Sequence, residues 1–126
     1  MNKKTYDEFS YPEIYLQSFE LSKMVIKSTT LFPKPTRYVL GHKLEEKTLN
    51  FLLLLNKIVG PSGVAFTIEK QSILKELSNS LDEFRILLRM AREIGAYSGG
   101  QYFELNNRTQ SIGKQIGGML KACKSQ

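Results

Sequence analysis

Arg85, Arg89 and Arg92 recur at the spacing that stacks side chains along one side of a helix. Guanidinium groups in such a row suit phosphate oxygens, because each stays charged at physiological pH and presents a planar fork of donors. Two further basic stretches accompany them. From Leu21 to Leu44 the chain carries Lys23, Lys27, Lys34, Arg37 and Lys43 with no acid, and from Leu105 to Gln126 it carries Arg108, Lys114, Lys121 and Lys124, again with no acid. Cations arranged this way bind a nucleic-acid backbone, RNA or DNA, without reading its sequence. The competing reading pairs Arg85 and Arg89 with Asp82 and Glu93 along or beside their own helix, a weak surface interaction.

Other chemistries lack their parts. The single histidine, His42, would need partners to hold a metal or move a proton. His42-x-x-Glu45 reverses the Glu-x-x-His order of di-iron bundles and has no second copy, so a solvated surface histidine is expected. The turn Gly60-Pro61-Ser62-Gly63 lacks the Lys-Ser/Thr ending of a phosphate-binding loop. Glu45-Glu46 and Asp82-Glu83 are adjacent pairs, which diverge by about 100° on a helix and cannot share a substrate. Cys123 is the only cysteine, so no internal disulfide or cysteine-based zinc site can form. The expectation is a protein that is not an enzyme, with no catalytic, cofactor or metal-binding residue.

The composition fits that reading. A formal net charge of +6 favours an acidic partner such as nucleic acid, an anionic membrane or an acidic protein. No secretory signal opens the chain, and the most apolar run, Leu49 to Val59, is too short to span a bilayer and contains Asn50, Asn56 and Lys57. A cytoplasmic protein that does not enter the membrane is expected.

The elements that must position the arginines follow from periodicity. Residues 1–11 show no sustained repeat and are expected to form a loosely held arm; residues 12–126 read as a single domain. A first helix is predicted from Pro12 to about Leu31, with Ile14, Tyr15, Phe19, Met24, Ile26 and Leu31 spread along it, before Pro33 and Pro35 stop it. A second runs from about Thr36 to Val59 on Leu40, Leu44, Phe51, Leu55 and Ile58, with Leu54 beside them. The third and longest spans Thr67 to Gly95. Leu77, Leu81, Phe84, Leu88 and Ala91 form its core stripe, flanked by Leu74, Leu87 and Ile94, and Gly95 is its C-terminal cap. Ser98 and Gln101 form a capping box for a fourth helix, whose stripe is Tyr102, Leu105, Ile112, Ile116 and Met119 or Leu120, broken by Thr109. Gly113, Gly117 and Gly118 each cost this helix roughly 1 kcal/mol against alanine, which predicts close approach of another backbone. Four helices, short connections and no strand pattern give an all-α, up-and-down four-helix bundle.

Some apolar residues point away from these stripes. Leu49 and Leu53 lie on the far side of the second helix, and Ile86 and Met90 on the far side of the third. Apolar patches on a soluble surface mark interfaces, and these are expected to bury against a neighbouring subunit. A wider intramolecular core is the alternative.

Three segments carry a family resemblance. Phe32-Pro33-Lys34 with Arg37-Tyr38-x-Leu40-Gly41 is similar to the first interhelical segment of the accessory variability determinant proteins of diversity-generating retroelements. Leu77 through Gly95, LSNSLDEFRILLRMAREIG, resembles their third helix with its Leu-Arg-x-Ala core. Tyr102, Leu105, Ile112-Gly113 and Gly117-Gly118 follow their fourth-helix pattern, although Met119 stands where the family often has tryptophan. The resemblance covers roughly residues 12–123. It implies a basic four-helix-bundle homo-oligomer, a pentamer, that binds the reverse transcriptase and nucleic acid and supports error-prone cDNA synthesis without catalytic residues of its own. The ribosomal-RNA intervening-sequence proteins have a similar fold, and a structural oligomer of that kind with protein-only partners is the alternative expectation.

Overall fold

Leu74, Leu77, Leu81, Phe84, Leu88 and Ala91 are all buried, so the stripe predicted for the longest helix is its core face. The structure is a computed structural model that describes residues 11–60 and 67–124. Its helices are α1 (Glu13–Thr29), α2 (His42–Val59), α3 (Thr67–Glu93) and α4 (Gly99–Lys124). α1 packs on α2 and α4, and α3 packs on the same two, which closes a four-helix bundle around one core. No strand occurs among the described residues. The expected arm lies outside them except for Tyr11, whose ring stacks on Tyr15 with centroids 4.4 Å apart. Most of the turn after Gly60 is also outside.

Both predicted caps around residues 93–101 form. Gly95 has φ 84°, a left-handed conformation that strains a residue with a Cβ. Ala96 N–H donates to the Ala91 carbonyl at 2.8 Å and Gly95 N–H to the Arg92 carbonyl at 3.1 Å, the paired bonds of a Schellman motif. Ser98 and Gln101 then cap α4 reciprocally: Gln101 N–H donates to Ser98 Oγ at 3.1 Å, and Ser98 N–H to Gln101 Oε1 at 2.9 Å. Between the caps sits Tyr97, buried and unforeseen. Its hydroxyl lies 2.8 Å from Ser28 Oγ, and Phe32 packs at right angles to its ring. These contacts tie the α3–α4 corner to the end of α1.

The path from α1 to α2 differs from expectation. Pro33 caps a short helical turn, Lys34–Thr36, and Pro35 stands in its first turn, where a missing N–H costs nothing. The prolines therefore start the second helical segment as well as ending the first. A π-helical turn, Arg37–Gly41, follows, closed by His42 N–H donating to the Arg37 carbonyl. Gly41 is buried here, and a methyl on it would make ordinary van der Waals contacts with Arg37, Phe32 and Thr29 at 3.5–3.6 Å. The turn buries Leu40 and leaves Tyr38 and Val39 outside.

Three further expectations are corrected. The buried face of α1 is Ile14, Ser18, Leu21, Ser22, Val25 and Thr29, whereas Phe19, Ile26 and Leu31 are exposed. Ser18 and Ser22 can be buried because their hydroxyls bond carbonyls one turn back, at 2.7 and 3.0 Å. Ile94 is 55% exposed, because the chain leaves the helix at Glu93 and turns through Gly95. The glycines of α4 are not sites of close backbone approach within the chain. A methyl on Gly117 or Gly118 would meet nothing within 4 Å, and one on Gly113 would face only the side chains of Arg85 and Leu81. Close approach occurs instead between α1 and α2, where Ser22 Oγ lies 3.3 Å from the Thr48 carbonyl.

Candidate nucleic-acid interface

The arginine row lies along the seam where α3 packs on α4. Arg85 is half-buried and reaches across to α4, its Nη2 3.6 Å from where a Gly113 methyl would stand. Its Nε is sealed from solvent and has no hydrogen-bond partner among the described residues. Arg89 is exposed and donates from Nε to Glu93 Oε2 at 2.8 Å. That hydrogen bond first, then the Glu93 charge and the nearby Tyr102, raise its pKa above the ordinary value. Arg92 is exposed with no ion pair among the described residues, and its Nη2 is 3.5 Å from a methyl position on Gly99, the first residue of α4. Its cation therefore adds to the positive end of the α4 dipole instead of being neutralised. The pairing alternative holds for Arg89 with Glu93; no Arg85–Asp82 pair forms.

The other basic residues divide by position. The Tyr97–Ser28 contact brings the end of α1 and the start of α2 to the same end of the bundle as Arg92. Lys27, Lys34, Arg37 and Lys43 gather at that end; the first three are exposed with no ion pair among the described residues, and Lys43 pairs with Glu46 at 3.9 Å. Lys23 pairs with Glu20 at 3.1 Å, and Arg108 with Glu104 at 3.5 Å. Lys114 and Lys121 are exposed farther along α4. The structure thus joins the row on α3 with one end of the bundle and leaves the α4 lysines toward the other end. Exposed partners such as Glu20, Glu46 and Glu104 compete weakly with phosphate, because surface pairs contribute little.

The same end holds a polar chain that the sequence did not reveal. Thr29 Oγ1 donates to Glu45 Oε2 at 2.5 Å, and Glu45 Oε1 is 3.6 Å from Nδ1 of His42, on which Tyr38 stacks. His42 is exposed, and no group of histidine, cysteine and carboxylate residues among the described residues could hold a metal. Residues missed by the sequence reading include Tyr97, which has no periodic signal, and Phe103. Phe103 is 67% exposed on α4, opposite the core stripe, and a helical projection of α4 could have singled it out.

Leu49, Leu53, Ile86 and Met90 all point outward as expected, the most exposed being Leu53 at 68% and Ile86 at 66%. No helix among the described residues is long and apolar enough to cross a membrane. The chain matches no protein-family model and no curated protein.

Proposed function

We propose that this chain is a non-catalytic accessory protein of a diversity-generating retroelement. In this reading it binds the reverse transcriptase and its template RNA or cDNA through a basic surface, and so supports mutagenic reverse transcription. The observation that carries it is the arginine row on the α3–α4 seam, with Arg92 unpaired over the positive end of α4 among the described residues. A site for a neutral or cationic ligand would not be built this way, because an added cation there raises the local potential. The family resemblance of residues 32–41, 77–95 and 102–118 supplies the retroelement context. The test is cDNA synthesis by the element's reverse transcriptase on its template RNA, with and without this protein. Loss of cDNA on omission is expected, and equal yield contradicts the proposal.

The exposed Leu49, Leu53, Ile86 and Met90 support a homo-oligomer, a pentamer by the resemblance, in which these side chains bury against neighbours. Light scattering at micromolar concentration should give a mass several times that of the 14.4 kDa chain, and a monomer contradicts this. The second reading, a structural oligomer of the ribosomal-RNA intervening-sequence kind with protein-only partners, draws on the same residues and on the Arg89–Glu93 pair.

A further inference from the structure

An open cleft of about 360 Å³ lies on the outer side of α4 beside α1, lined by Gln17, Phe103, Glu104, Asn107, Arg108 and Ser111. We propose that it receives an unpaired nucleobase, so that the protein prefers single-stranded to duplex nucleic acid. This inference rests on the nucleic-acid reading above and names the form of the ligand.

Four features of the cleft carry it. Its volume falls within the range of small-molecule sites, about 300–1,000 Å³. The Phe103 ring is two-thirds exposed, and an aromatic face presented to solvent is a platform on which any base can stack. The polar lining is amide-rich, which suits the donor and acceptor edge of a base. Gln17 is held in place there, donating to Glu13 Oε1 at 3.1 Å and accepting from Gln115 Nε2 at 2.5 Å. Asn107 makes no side-chain hydrogen bond among the described residues, so both ends of its amide are available. Finally, Arg108 lines the cleft, and Lys114 stands exposed about one turn beyond Ser111 and two beyond Asn107, with no ion pair among the described residues. These cations can neutralise the phosphates flanking a base seated on Phe103.

Duplex bases are already stacked and paired, so a duplex can reach the cations but not the ring. An apolar peptide side chain is a poorer occupant, because it would desolvate the Asn107 amide and the Glu104–Arg108 pair without replacing their hydrogen bonds.

The test uses the full chain, titrated with a fluorescent single-stranded oligonucleotide and with its duplex, alongside Phe103→Ala and Phe103→Tyr. Phe103→Ala should weaken single-strand binding by roughly 5- to 150-fold, the range expected for removing one base stack. Duplex binding and the salt dependence of both should stay unchanged, and Phe103→Tyr should retain the preference. Because Phe103 is exposed and outside the core, both variants should fold, which circular dichroism checks. An equal loss on both ligands, or no loss on either, overturns the base site while leaving the nucleic-acid reading intact. Failure of the wild-type protein to bind either ligand overturns both.

Discussion

Tyr97 connects three elements with one side chain, and its burial has a pH consequence. Removal from water raises its pKa above the ordinary 10.0, and the Glu45 charge adds to the rise, while the hydrogen bond with Ser28 works the other way. A phenol whose folded pKa exceeds its unfolded value contributes fully below about pH 10 and loses that contribution as pH climbs through the folded value. Stability should therefore fall on the alkaline side. Tyr97→Phe should cost about 1 kcal/mol at neutral pH, the net worth of one hydrogen bond. Ser28 Oγ keeps its bond to the Val25 carbonyl at 3.0 Å, which limits the loss. The variant should also show a shallower alkaline decline. Urea unfolding at neutral and alkaline pH measures both, and an unchanged alkaline limb would show that Tyr97 does not cause it. Arg85 poses the opposite case, a charged side chain whose sealed Nε has no partner among the described residues. It lies against α4 beside Gly113, a proximity across 28 positions of sequence that helical spacing alone cannot reveal.

The helices differ in how openly the chain announces them. α3 and the apolar positions of α2 and α4 were legible because leucine, isoleucine and phenylalanine supply the buried stripe at helical spacing. The capping box and Gly95 were legible because their chemistry is local. α1 was not, since half its buried face is serine and threonine, and hydropathy then favours Phe19 and Ile26 on the solvent side. The π-helical turn was invisible for a different reason: one extra residue in a turn leaves composition and flanking periodicity unchanged. The glycines of α4 are the clearest misreading, because helix propensity records their cost but not what fills the space beside them. With nothing within 4 Å of a Gly117 methyl, Gly117→Ala should raise stability by about 1 kcal/mol. Thermal unfolding checks this. A fall instead would mean that a neighbouring subunit packs against that face.

At the scale of the whole molecule, the fold gathers charge more than its total of +6 suggests. The bundle brings Lys27, Lys34 and Arg37 to the end where Arg92 stands over α4, and extends that field along the seam through Arg89 and Arg85. Outward apolar residues on α2 and α3 would repeat this surface around any closed oligomer, strengthening a modest field in each chain. The arginine row itself was legible from spacing, whereas the joining of the row to the basic end required the Tyr97 corner. Whether this surface holds phosphate is tested most directly by salt. A filter-binding titration of single-stranded RNA at two salt concentrations, on wild type and the Arg89→Ala/Arg92→Ala double variant, should show steep weakening with salt for the wild type. The double variant should bind less tightly, with the log–log slope reduced by roughly 0.7 for each phosphate it no longer neutralises, and its melting curve should stay essentially unchanged. Salt-insensitive wild-type binding, or a double variant with unaltered affinity and slope, contradicts the assignment of this surface.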